Sequence, residues 1–108
     1  MASIASIIKA KKGKAGHWEV FRVIEDDDAE VCQLYHYSTL MLQWRLIDPK
    51  DSNYLEYNDG WGSVSDQNGL NTAFKILGIP LYFARSIKDY GFHATDPENA
   101  KVLANLYA

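Results

Sequence analysis

Apolar residues recur along the chain in two patterns, one typical of helices and one typical of strands. Leu70 and Phe74, with a leucine three positions further on, lie at helical intervals, so they share one face of a helix. Ser63 can cap the start of this segment, and Gly78 with the proline that follows can end it. The pattern predicts a central helix over about residues 64–77.

Several other stretches are rich in β-branched and aromatic residues, as strands are. They are "HWEVFRVI", "VCQLYHYSTLMLQWRLI", "YLEY", "LYFARS" and "FHAT". The second stretch is too long for one ordinary strand, so we expect a bend near Ser38 and Thr39. Both faces of the first stretch are apolar, which indicates a strand in the interior of a sheet.

Short helices are predicted at both ends of the chain, because a serine or aspartate cap precedes an apolar stripe in each case. The order helix, strands, helix, hairpin, helix is typical of an α+β fold. We therefore predict a single α+β domain over residues 1–108 with an antiparallel sheet of about four to six strands. Its parts are a basic N-terminal segment (1–16), the sheet with the central helix (17–95) and a C-terminal helix (96–107).

Composition narrows the class of protein. The chain is 47% hydrophobic and 13% aromatic, which is too apolar for a disordered protein. No apolar stretch is long enough for a membrane span, and the N-terminal apolar residues precede the lysines, the reverse of a secretory signal. Cys32 is the only cysteine, so one chain cannot form a disulfide framework. We expect a cytoplasmic protein without membrane contact, with Cys32 in its core.

A net charge of −3 hides two clusters of opposite sign. The acidic cluster has the composition of a solvated hairpin turn. The basic cluster can bind phosphate groups of nucleic acid without sequence specificity, or it can simply keep the N-terminal segment soluble. The acidic residues are Glu25, Asp26, Asp27, Asp28 and Glu30, and the basic residues are Lys9, Lys11, Lys12 and Lys14.

The run "GWGSVSDQNGLN" suggests a ligand site, because helix starts attract anions. On this hypothesis it holds a nucleotide or another phosphate-bearing signal molecule. The residues would be Trp61, Ser63, Ser65, Asp66 and Asn68, with Arg85 or Lys75 neutralising charge. The run contains no lysine or arginine and matches neither a phosphate loop nor a dinucleotide fingerprint. The alternative is a tight turn at the two glycines, with the Trp61 ring packed on the core.

Catalytic and metal-binding patterns are weak. His17, His36 and His93 are scattered, without a second ligand at helical or hairpin spacing. Ser38 lies two residues from His36, but the sequence offers no third group to orient the histidine. We predict that the protein is not an enzyme and has no metal or cofactor.

Aromatic residues are more numerous than a small core can hide completely. They include Trp18, Tyr35, Tyr37, Trp44, Tyr54, Tyr57, Trp61, Tyr82 and Tyr90. Some are therefore expected at the surface, where tyrosine and tryptophan serve protein interfaces and stack on nucleobases. Surplus apolar surface of this kind is also compatible with a homodimer.

Two segments, "YHYSTLMLQW" and "GWGSVSDQNGLNTAFKILG", resemble a diffuse family of small phage and prophage proteins. The resemblance covers about the middle half of the chain and implies a phage protein in a bacterial host cell, without implying an activity. The positions that carry it are His36, Tyr37, Ser38, Thr39, Gly60, Trp61, Ser63, Ser65, Leu70, Asn71, Leu77 and Gly78.

The leading hypothesis is a small phage-encoded protein that binds and inhibits a host protein or nucleoprotein complex, such as an anti-CRISPR-like protein directed against antiviral defence. A concentrated negative surface competes for basic nucleic-acid sites. The nucleotide module and the lysine-rich nucleic-acid binder remain alternatives. The residues expected to contact the protein partner are Glu25, Asp26, Asp27, Asp28, Glu30, Tyr35, Tyr57 and Trp61.

Overall fold

The structure is a computed structural model that describes residues 2–96. The described residues form helices α1 (Ile4–Ala10) and α2 (Val64–Leu77) and strands β1 (Gly13–Ala15), β2 (Trp18–Ile24), β3 (Glu30–His36), β4 (Thr39–Arg45), β5 (Glu56–Tyr57), β6 (Leu81–Ala84) and β7 (Gly91–Ala94). The predicted C-terminal helix (96–107) falls, apart from Asp96, outside the described residues. Neither helix within residues 2–96 has the length and hydropathy that a membrane crossing requires.

Strands β1 to β5 form one antiparallel sheet in chain order, so each strand pairs with the next one along the chain. In the β2–β3 hairpin Trp18 pairs with His36 at one end, and Ile24 pairs with Glu30 at the other. The expected bend is a tight turn after His36 that separates β3 from β4. β6 and β7 form a separate two-stranded antiparallel sheet. The predicted α+β fold is therefore confirmed.

Helix α2 is the predicted central helix. The Ser63 hydroxyl accepts a hydrogen bond from the Asp66 amide (3.0 Å), and the Asp66 carboxylate accepts one from the Ser63 amide (3.1 Å). This reciprocal cap satisfies two amides that have no acceptor within the helix. The helix ends at Gly78, whose φ of 67° lies in the left-handed region that glycine adopts without strain.

The hydrophobic core lies between one face of the five-stranded sheet and the two helices. Leu34 and Leu42 are paired on β3 and β4 and are buried together with Leu70 and Phe74 of α2. The most completely buried large side chains also include Trp44 and Phe83. Cys32 is fully buried in this core, as predicted.

A side-chain clamp joins α2 to the β6–β7 hairpin. Nδ2 of Asn71 donates to the Phe83 carbonyl (2.9 Å), and Oδ1 of Asn71 accepts from the Phe83 amide (2.7 Å). The amide group of Asn71 thus replaces a neighbouring strand for this part of β6. The clamp fixes the hairpin next to the helix.

Strand β1 was not predicted. The sequence suggests that Gly13 only interrupts the N-terminal helix, but that helix ends earlier, at Lys11, which has a left-handed φ of 64°. Gly13 already pairs with Val20 of β2. A three-residue strand carries too little hydrophobic pattern to be recognised from the sequence.

Candidate functional site

The two ends of the β2–β3 hairpin carry different chemistry. Seven residues of strand separate them, which is about 20 Å at the usual rise per residue. We call the end at the β2–β3 turn the acidic lobe, and define it by Glu25, Asp26, Asp27, Asp28, Glu30 and Glu56. We call the opposite end the aromatic end, and define it by His17, Tyr37, Trp61 and Tyr90.

The turn of the acidic lobe is held by its own hydrogen bonds. The Glu25 amide donates to the Ala29 carbonyl, and the Asp28 amide donates to the Glu25 carbonyl. Each hydrogen bond is 2.9 Å long. Asp28 has a φ of 66°, a left-handed conformation that aspartate tolerates better than most residues. This local geometry keeps the carboxylates at the surface, as the predicted solvated turn requires.

Neighbouring segments extend the acidic lobe. The Tyr54 hydroxyl donates to the Asp27 carboxylate, and this bond is the main cause that lowers the pKa of Asp27 below its ordinary value. Arg45 pairs with Asp51 (2.8 Å) and lies over the Tyr54 ring. A shallow, open depression of about 300 Å³ lies here, lined among others by Asp26, Asp27 and Glu56. Glu56 therefore joins the five carboxylates that the sequence singles out.

Two isoleucines are exposed at this end of the sheet. Ile24 is 67% exposed and Ile47 is 88% exposed. Ile24 pairs with Glu30 in the sheet, and the Glu30 carbonyl accepts a hydrogen bond from the Leu46 amide. Ile24, at the end of β2, and Ile47, two residues after the end of β4, therefore lie at the same end of the sheet as these carboxylates. This end of the sheet consequently combines negative charge with apolar side chains whose exposure to water is unfavourable.

At the other end of the hairpin, a buried hydrogen bond between a histidine and an aspartate joins the sheet to α2. Nδ1 of His36 lies 2.6 Å from Oδ1 of Asp66, and the two side chains are 7% and 1% exposed. The Trp18 ring stacks on the His36 ring with a centroid distance of 4.0 Å and an interplanar angle of 5°. Ser65 Oγ lies 3.4 Å from Nε2, the second ring nitrogen of His36. A serine, a histidine and an aspartate are therefore aligned here.

The Asp66 carboxylate is held by several donors. Burial acts to raise its pKa, but hydrogen bonds from His36 and from the Ser63 and Trp61 amides outweigh that effect and leave the pKa below its ordinary value. Oδ2 accepts from both amides at 3.1 Å. A carboxylate thus already occupies the start of α2, where the nucleotide hypothesis would place the phosphate. Its charge would repel an anion there.

The Trp61 ring does not pack on the core, and that expectation was wrong. Its side chain is 87% exposed, while its backbone amide donates to the Asp66 carboxylate. Tyr37 is 63% exposed and stacks on His17 with a centroid distance of 4.3 Å. Tyr37 has a left-handed φ of 58°, which is uncommon for a bulky residue and is found disproportionately at functional sites. The prediction that several aromatic residues reach the surface is confirmed.

The predicted protein-binding residues do not form one patch. The five acidic residues lie at the acidic lobe and Trp61 lies at the opposite end of the hairpin. Tyr35 lies on the sheet face away from the helices, where its ring makes an edge contact with Phe21. Tyr57 is half-buried and lies 4.3 Å from the Phe92 ring, measured between centroids. Sequence reasoning grouped these residues by type, whereas the sheet separates them.

The predicted ligand residues are closer together. Trp61, Ser63, Ser65 and Asp66 surround the start of α2, and Nε of Arg85 donates to the Gly62 carbonyl (2.6 Å). The Tyr90 hydroxyl donates to Asp59 nearby. Asn68 and Lys75 are both exposed further along the helix. Trp61 does not line the depression beside the acidic lobe.

The four N-terminal lysines are all exposed. Lys9 lies in the last turn of α1, and Lys14 lies on the edge strand β1. Arg22 is linked to this region, because its Nε contacts the Lys11 carbonyl (3.4 Å). Within residues 2–96 the structure contains no group of three or more His, Cys, Asp or Glu side chains able to hold a metal ion.

Sequence reasoning missed the His36–Asp66 pair. Thirty residues separate the two positions, and no fixed spacing signals such a contact. The only local signal was the capping-box spacing of Ser63 and Asp66, which identifies Asp66 as a cap. Ser38, the serine considered near His36, lies in the exposed turn after β3, whereas Ser65 of α2 contacts the imidazole.

Comparisons with known proteins complete the description of the site. No family model, no curated protein and no solved structure matches the chain. The function must therefore be inferred from the geometry.

Proposed function

We propose that this chain is a phage-encoded binding protein that inhibits a host protein or nucleoprotein complex through the acidic lobe. The observation that carries the proposal is that exposed carboxylates and the exposed Ile24 and Ile47 side chains lie at the same end of the sheet. The phage setting rests on the resemblance of the two central segments. The proposed partner is a basic surface that normally binds nucleic acid.

Charge supplies the first part of the recognition. Asp26, Asp28 and Glu30 are exposed, so they remain available to a partner. A concentrated negative surface accelerates association with a basic one and discriminates against acidic partners. Because nucleic acid binds the same basic side chains through its phosphates, the lobe and nucleic acid would exclude each other.

Apolar contact supplies the second part. Charge pairs at the rim of an interface add little affinity, whereas buried apolar anchors near its centre contribute most. Ile24 and Ile47 are suited to this role because they are exposed in the free protein and lie at the same end of the sheet as the carboxylates. The hydrogen bond of Tyr54 to Asp27 and the Arg45–Asp51 pair keep the lobe ordered before binding, which lowers the entropy cost of association.

The experiment compares variants for capture of a bacterial protein at physiological salt. Asp26→Lys reverses one charge in the lobe. Asp89→Lys is the matched control, because Asp89 is equally an exposed aspartate but lies between β6 and β7. Ile47→Asn removes an apolar anchor and leaves the charge unchanged, so it distinguishes a specific interface from ion exchange.

The proposal expects one partner to be retained by the wild type and by Asp89→Lys, and to be released by added duplex DNA. Its affinity should fall at least about tenfold in Asp26→Lys and in Ile47→Asn, which is the effect of losing about 1.4 kcal/mol. Equal retention by all four proteins would refute the proposal. The proposal would also be refuted if Ile47→Asn retained every captured bacterial protein as strongly as the wild type does.

A further inference from the structure

The aromatic end contains an arrangement of three side chains that the binding function leaves unused. Ser65 Oγ, the imidazole of His36 and the carboxylate of Asp66 form a continuous line, with 3.4 Å from Oγ to Nε2 and 2.6 Å from Nδ1 to Oδ1. The order is that of a nucleophile, a base and an orienting carboxylate. The 3.4 Å distance exceeds a strong hydrogen bond, as is common for such contacts before a substrate binds.

The proton arrangement on His36 follows from Asp66. An ionised carboxylate can only accept hydrogen bonds, so Nδ1 of His36 must carry the proton in their 2.6 Å contact. In the neutral imidazole this leaves a lone pair on Nε2, directed at the side of the ring where Ser65 lies. The amides of Ser63 and Trp61 hold the carboxylate in place.

The position of the imidazole is also fixed. The Trp18 ring stacks on it in nearly parallel orientation, and the pair is buried against α2. Ser65, in contrast, is exposed in the first turn of the helix. A buried base thus faces a nucleophile that solvent can reach.

We propose that Ser65, His36 and Asp66 form an acyl-transfer centre that acts on activated esters or thioesters. Ser65 is the nucleophile, His36 is the general base and Asp66 is a positioning residue that orients His36. The Trp61 and Tyr37 rings are exposed at this end and favour an aromatic or apolar acyl group. The centre lies at the opposite end of the hairpin from the acidic lobe and does not depend on it.

The chemistry balances with water as the only co-reactant. Oγ of Ser65 bonds to the acyl carbon while its proton passes to Nε2 of His36, and the carbonyl electron pair moves to the oxygen. When that pair returns, the bond to the leaving oxygen or sulfur breaks, and the leaving group takes the proton from Nε2. Water then attacks the acyl-serine in the same way, which releases a carboxylic acid and restores the Ser65 hydroxyl.

The first experiment measures covalent labelling of the full chain by a fluorophosphonate, with the modified residue located by mass spectrometry. The proposal expects a single adduct on Ser65, absent in Ser65→Ala and in Asp66→Asn but present in Ser38→Ala. Ser38 is the matched control, because it is an exposed serine two residues from His36. No adduct on Ser65 in the folded wild type would count against the proposal.

The second experiment needs no hydrolase substrate and separates catalysis from a structural role. Ser65→Cys and Ser38→Cys place a thiol at each of the two exposed positions, while the native Cys32 is buried. A thiol beside Nε2 of His36 is converted to the thiolate more readily. We expect Ser65→Cys to react with iodoacetamide at pH 7 at least about tenfold faster than Ser38→Cys. The proposal would be overturned if the two cysteine variants reacted at equal rates and the wild type was not labelled by the fluorophosphonate. Both results are expected if the contact between Ser65 and His36 is purely structural.

Discussion

A glycine in the middle of α2 provides the sharpest test of the packing. A Cβ atom added to Gly69 would lie 2.1 Å from Cζ2 and 2.4 Å from Cη2 of the Trp18 ring. Carbon atoms in contact are normally about 3.5–4.0 Å apart. The ring cannot simply retreat, because it is buried and stacks on His36. We therefore predict that Gly69→Ala destabilises the protein.

The magnitude follows from two opposing effects. Alanine is more favourable than glycine inside a helix by about 1 kcal/mol. Overpacking a core costs about 1–3 kcal/mol, and an overlap of this size belongs at the upper end of that range. The expected net loss in the free energy of unfolding is about 2 kcal/mol. For a domain of this size it corresponds to a decrease in Tm of about 8–16 °C.

The assay is thermal and urea unfolding of Gly69→Ala in two backgrounds. Asn68→Ala is the control, because this exposed neighbour gains helix propensity without a clash. In a Trp18→Phe background, which removes part of the ring that obstructs the Cβ, Gly69→Ala should become neutral or stabilising. A higher Tm for Gly69→Ala in the wild type, or the same effect in both backgrounds, would refute the reasoning.

Three further predictions concern Asp66, Asn71 and Cys32. Because the folded-state pKa of Asp66 is lowered, its contribution to stability is present above the ordinary carboxyl pKa of about 3.9 and is lost as the pH falls through the folded-state value. Asp66→Asn should therefore be less stable than the wild type by about 1–3 kcal/mol at pH 7. Urea titrations should show this difference in the free energy of unfolding becoming smaller below about pH 4. A difference that does not change with pH would contradict the lowered pKa of Asp66. Asn71→Ala removes the hydrogen bonds that the side chain makes with the amide and carbonyl of Phe83. Urea unfolding should show a decrease of about 2–4 kcal/mol in the free energy of unfolding. A decrease under about 1 kcal/mol would show that the clamp contributes little to stability. Burial raises the pKa of the Cys32 thiol, so a disulfide reagent at pH 8 should modify it only after unfolding, and rapid reaction of the folded protein would contradict its place in the core.

The elements that could be predicted from sequence are those whose signals are local. The central helix has a capping serine, an apolar stripe and a terminal glycine within sixteen consecutive residues, so its bounds of Val64–Leu77 were foreseen closely. The acidic turn was recognised because its composition suits no other element. The stretches that form β2 and β4 were likewise recognised, because β-branched and aromatic residues are concentrated within each of them.

The candidate sites could be predicted only in part, because they depend on contacts between distant segments. Glu56 and Ile47 join the acidic lobe through the sheet, far from it in sequence. His36 and Asp66 are brought together by the packing of α2 on β3. The exposure of Trp61 is not revealed by any local pattern. An aromatic residue after a strand is compatible with either a buried or an exposed ring.

The sequence by itself determined the α+β class, the central helix, the hairpin turn and the presence of more aromatic side chains than the core could cover, because propensity, periodicity and capping act over a few neighbouring residues. Only the tertiary structure decided that acidic and aromatic groups lie at opposite ends of one hairpin, and that a serine, a histidine and an aspartate meet at the start of α2. Sheet register and helix packing set distances between residues thirty positions apart, and those distances decide which chemistry is assembled.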